Sequence, residues 1–70
     1  MMMWEDEHID DDGIRRQALI AYGAVAATIM QFPEGSTTVV DVGMHRLGDR
    51  ATWNAARTCA EEEVRRMFAN

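Results

Sequence analysis

The sequence predicts a small helix–strand–helix unit of the α+β or mostly α class, with two amphipathic helices and assembly as a homodimer. Three observations predict it. An uncharged stretch from Gln17 to Pro33 carries apolar residues at three- and four-residue steps. A β-branched run follows at Thr37–Val42. A second helical pattern extends from Asp49 to about Phe68.

Residues 1–12 read as an acidic, weakly ordered arm, with a short strand or an apolar plug as equal readings of Met1–Trp4, and residues 13–70 as a single domain. The arm places Met1–Trp4 in front of Glu5, Asp6, Glu7, Asp10, Asp11 and Asp12, with no basic residue among them. Helix one is expected to start near Asp11 or Asp12, since an aspartate accepts the unpaired amides of a first turn and suits the positive helix end. Ile14, Ala18, Ala21, Val25, Ile29 and Phe32 form one apolar stripe along it, and Pro33 with Glu34-Gly35-Ser36 stops it. Leu19, Gly23, Ala26 and Met30 form a second stripe on the opposite side. A helix apolar all round must be covered all round.

The segment from Thr37 to Leu47 favours a strand with Thr38, Val40, Val42 and Met44 on one side, helix being the alternative. A lone strand would have to pair with a second subunit, with residues 1–5 or with a target's sheet. Helix two takes Asp49 as its cap and Trp53, Ala56, Ala60, Val64 and Met67 as its core stripe. Glu61–Arg65 and Glu62–Arg66 are expected i,i+4 ion pairs.

Seventy residues supply one core, worth roughly 3–5 kcal/mol without a staple. The single cysteine, Cys59, forbids an internal disulfide, and no Cys/His cluster offers a zinc site. Association is the remaining route to stability, so Leu19, Gly23, Ala26, Met30, Tyr22 and Phe68 are the candidate dimer or partner interface. The lone thiol and the absence of a basic leader predict a cytoplasmic protein. The uncharged stretch is short for a bilayer, so no membrane partner is expected. The Ala/Arg-rich composition, with seven arginines and no lysine, suggests a bacterial or bacteriophage origin.

No catalytic, metal or cofactor site is expected. Cys59 has no histidine near it in sequence, and His8 and His45 lie far apart. Asp10-Asp11-Asp12-Gly13 opens like a calcium loop, but the twelfth position from Asp10 is Ala21, where that loop needs a glutamate. These residues point to a non-enzymatic regulator or inhibitor that sterically covers a surface on a larger protein. Trp53, Tyr22, Met30 and Phe68 are its candidate anchors. In a second version Glu5, Asp6, Glu7, Asp10, Asp11 and Asp12 mimic nucleic acid against a basic groove.

The residues Pro33-Glu34-Gly35, Leu47-Gly48-Asp49-Arg50-Ala51-Thr52-Trp53 and Glu61-Glu62-Glu63-Val64 resemble the helix-turn-helix segment of bacterial winged-helix regulators. The resemblance covers residues 33–64. It implies a transcriptional regulator whose Arg50, Asn54 and Arg57 meet base edges in the DNA major groove. The turn between Leu47 and Arg50 is one residue shorter than that family's, no wing follows, and the net charge of −5 opposes phosphate binding. Nucleic acid is therefore the alternative partner.

Overall fold

The computed structural model describes residues 1–34, 38–43, 45–50 and 52–69, the side chain of Arg50 excepted. It contains an antiparallel β-sheet covered on one face by a single C-terminal helix. The strands are β1 (Met2–Trp4), β2 (His8–Ile9), β3 (Arg15–Ala21), β4 (Ala24–Gln31), β5 (Thr38–Val42) and β6 (His45–Arg50). The helix, α1, spans Trp53–Phe68. The order across the sheet is β1-β3-β4-β5-β6, and β2 continues the line of β1 along β3. This corrects the two-helix expectation: the segment expected as helix one is the β3–β4 hairpin.

Two turns explain that hairpin and the strand before it. Asp10 opens a tight loop, in which its Oδ1 accepts from the backbone N–H groups of Asp12 and Ile14, both at 3.0 Å. Gly13 closes it at φ +81°, the left-handed position of a three-residue hairpin loop. Asp10–Gly13 is therefore a strand connection and not a helix start. At the far end of β3, Ala21 pairs with Ala24 across Tyr22 (φ 54°) and Gly23 (φ 80°). Positive φ at both central residues is the type I′ signature, whose twist matches that of paired strands.

Within residues 1–12, Met2–Trp4 form a short strand, one of the readings open for them, and His8–Ile9 form another. Met2, Met3 and Trp4 pair with Ala21, Ile20 and Leu19, and His8 and Ile9 pair with Arg16 and Arg15. Their order comes from ladder hydrogen bonds and from two ion pairs, Glu7–Arg15 at 2.7 Å and Asp10–Arg16 at 2.9 Å.

Strand β5 is central, between β4 and β6, so it needs no second subunit to satisfy its edges. Thr38, Val40 and Val42 share its helix-facing side as the alternation predicts, while Met44 lies outside the described residues. The β3–β4 and β5–β6 ladders each contain a register shift. The extra residue is Ala26 in β4 and Leu47 in β6, and both turn towards the core.

The core lies between the sheet and α1. It comprises Leu19, Ala21, Ala27, Ile29, Val40 and Val42 from the strands and Trp53, Ala56, Ala60 and Val64 from the helix. The helix stripe is as expected for four of five residues; Met67 is 52% exposed. The helix cap is Thr52, whose Oγ1 accepts from the Ala55 N–H at 3.0 Å, rather than Asp49, which lies in β6. Pro33 and Glu34 form a turn as expected, and the continuation at Gly35 and Ser36 lies outside the described residues.

Candidate functional site

The helix does not cover the sheet evenly. It packs chiefly on β5 and β4, which leaves β1 beyond its footprint at the edge. Met2 and Trp4 reach back from β1 towards the core, and a groove remains between this edge strand and the last two turns of α1. Its cavity is about 210 Å³, lined by Met1, Met2, Tyr22, Val64, Arg65 and Phe68.

One end of the groove is framed by aromatic rings. Tyr22 and Phe68 lie 4.7 Å apart between centroids and inclined at 54°, yet they are 69% and 49% exposed. The left-handed backbone at Tyr22 is unfavourable for a residue with a Cβ by about 1–2 kcal/mol. Such strain is retained where the surroundings fix it, and it concentrates at functional positions. Further along the same seam, the Trp4 indole N–H donates to Glu61 Oε2 at 2.7 Å, joining strand to helix. Arg57 stacks over the Trp4 ring at 5.0 Å, and Arg15 over Trp53 at 4.0 Å.

The expected interface residues separate into three groups. Tyr22 and Phe68 are brought together at the groove, 46 positions apart in sequence. Leu19 is 1% exposed and belongs to the core, so no partner reaches it in the folded chain. Gly23 is an exposed turn residue, Ala26 sits at the β4 bulge, and Met30 is half-buried on the face away from the helix. The helical seam expected to hold Leu19, Gly23, Ala26 and Met30 has no counterpart, because strand alternation sends these residues to different faces. Of the anchor candidates, Trp53 is a core residue.

The acidic residues are distributed rather than presented as one strip. Glu7 titrates below its ordinary range, because the Arg15 guanidinium hydrogen-bonds its carboxylate. Asp10 does so chiefly because the Ile14 N–H bonds it, with Arg16 adding a further contact. Glu5, Asp6, Asp11 and Asp12 are exposed.

Among the residues expected at a DNA groove, Asn54 is exposed and Arg57 is turned towards Trp4, its Nε buried. Arg50 ends β6, and its side chain lies outside the described residues. Strands β5 and β6 and most of α1 lie within residues 33–64, the span of the resemblance.

Sequence reasoning did not single out Met1, Met2, Val64 and Arg65 as groove residues. The available signal was the Met-rich start together with the Tyr-Gly turn, which a hairpin reading would have brought to the C-terminal end of the helix. Cys59 is half-buried on α1, and among the described residues no group of His, Cys, Asp or Glu is arranged to hold a metal ion. No helix of the described residues is long and apolar enough to cross a membrane. No protein-family model matches the chain, and neither a curated protein nor a solved structure matches it.

Proposed function

We propose that this chain is a non-enzymatic regulatory protein that acts by binding a larger protein through the groove between β1 and α1. The observation that carries this reading is the Tyr22–Phe68 pair. Tyr22 stays largely exposed and Phe68 about half exposed beside the groove, with a left-handed backbone at Tyr22. Aromatic side chains that are rigid and amphipathic supply much of the energy of protein interfaces. The effect on the partner is steric: the chain occupies a surface and excludes others from it.

The test is capture from bacterial lysate, with and without nuclease treatment, by three forms of the full chain. These are the native sequence, Tyr22→Ser with Phe68→Ser, and Met3→Ser with Val25→Ser as a control on the opposite sheet face. A protein held by the native and control chains and released by the groove variant supports the reading. Equal capture by all three, or capture that nuclease abolishes, overturns it.

A further inference from the structure

The free edge of β1 runs alongside the groove. Backbone hydrogen bonds from Glu5 N–H to the Ala18 carbonyl (2.9 Å) and from Tyr22 N–H to the Met1 carbonyl (3.5 Å) direct residues 1 and 5 at β3. Antiparallel strands alternate in this respect, so Met3 also faces β3, while the N–H and C=O groups of Met2 and Trp4 point away from it. Among the described residues no strand pairs with that outer side. An edge of this kind is a template for an added strand.

The cavity beside this edge has a size and a charge that narrow its occupant. About 210 Å³ is less than the ~300–1,000 Å³ of ordinary small-molecule sites, and it suits one large apolar side chain. Its lining is mainly apolar, and Arg65 has the one charged side chain among the lining residues. Helical spacing predicts that Glu61 neutralises Arg65, but Glu61 is held by the Trp4 indole instead. Arg66, the neighbouring cation, pairs with Glu63. Arg65 is thus exposed at the groove with no acidic partner among the described residues. A single residue that combines a large apolar side chain with its own carboxylate is the C-terminal residue of a polypeptide.

We propose that the partner docks its extended C-terminus as an extra strand on β1, with the last side chain in the groove and the terminal carboxylate on Arg65. This rests on the protein-binding reading above and adds the chemistry of what is bound. Main-chain hydrogen bonds to Met2 and Trp4 hold the segment, and the cavity selects the final residue. A guanidinium is suited to this contact, because its planar fork matches a carboxylate.

The probe is a synthetic array of random heptapeptides with free C-terminal carboxylates, presented to the full chain beside the same array as C-terminal amides. Retained peptides are expected to end in Leu, Ile, Met or Phe, and the amides to bind at least tenfold more weakly. Arg65→Gln, an exposed substitution that leaves thermal stability unchanged, is expected to erase the difference between acid and amide. Hydrogen exchange on the complex is expected to slow at the Met2 and Trp4 amides. No retention, equal binding of acid and amide, or protection at a different surface overturns the proposal. So does protection of those two amides that appears on concentrating the chain alone, which assigns the edge to a second copy. If the peptides fail while the Tyr22/Phe68 variant still loses its captured protein, protein binding stands and only the C-terminal mode falls.

Discussion

The Trp4 indole N–H and the Glu61 carboxylate meet at 2.7 Å across 57 positions of sequence, and this contact ties the edge strand β1 to the middle of α1. It holds the Trp4 ring under Arg57 and withdraws Glu61 from Arg65.

Removing that acceptor tests its contribution. Glu61→Ala leaves a half-buried indole N–H unpaired and is expected to cost about 1–2 kcal/mol, since hydrogen bonds to charged groups exceed neutral ones. Glu61→Gln keeps an acceptor and is expected to cost less than half as much. Urea unfolding followed by tryptophan fluorescence reads both; equal losses in the two variants would contradict the assignment.

Two glycines separate backbone strain from crowding. A Cβ at Gly23 would meet nothing within 4 Å, so Gly23→Ala carries only the cost of left-handed backbone, about 1–2 kcal/mol. A Cβ at Gly13, also left-handed, would lie 3.2 Å from Pro33 Cγ. Gly13→Ala is therefore expected to be the more destabilising of the two in thermal unfolding. The reverse order would mean that Pro33 yields without cost.

Strand alternation makes a prediction that the helical reading does not. Ile29 is fully buried and Val25 is 61% exposed, although both fall on one stripe of a helical wheel. Ile29→Ala is expected to cost about 2–5 kcal/mol, comparable with the whole stability of so small a core. Circular dichroism should then show an unfolded chain at room temperature. Val25→Ala is expected to change stability by less than about 0.5 kcal/mol.

Acid should loosen the β2–β3 end first. Asp10 and Glu7 titrate below their ordinary values of 3.8 and 4.5, so the folded state binds fewer protons than the unfolded one. Their contribution is complete above about pH 5 and is lost as pH falls through the lowered values. Asp10→Asn keeps an oxygen for the Asp12 and Ile14 amides but gives up the charge. It is expected to flatten the acid limb of the melting-temperature profile, whereas Asp10→Ala also lowers stability at neutral pH. Identical profiles for native and Asp10→Asn chains from pH 3 to 7 would refute this origin.

The second helix was legible because its signal has one period. Trp53, Ala56, Ala60 and Val64 face the core as spaced, and charged residues fill the other side. The strand at Thr38–Val42 was legible from its β-branched alternation, although its central place between β4 and β6 was not. Residues 14–32 read as a helix in sequence because β3 and β4 carry apolar residues on both faces. Leu19, Ala27 and Ile29 turn to the helix, while Ala18, Ile20 and Met30 turn away. Such a run shows no alternation and fits a helical wheel as readily. Asp10–Gly13 and Tyr22-Gly23 carried the correction in their glycines. Tyrosine is an unusual choice for a left-handed position, however, and an acidic run also suits a helix start. In the groove, aromatic character marks Tyr22 and Phe68, whereas helical spacing pairs Arg65 with Glu61, whose carboxylate accepts from Trp4 instead.

Local pattern settles which face of α1 and which side of β5 turn inward, and it shows a long uncharged segment that must be sheltered. That this segment folds back on itself at Tyr22-Gly23 and becomes the middle of a sheet comes from contacts distant in sequence. For such residues the local preference between helix and strand is small. The choice rests on non-local partners: β1, β2 and β5 satisfy the hairpin's outer hydrogen bonds, and α1 covers the face that holds Leu19 and Ile29.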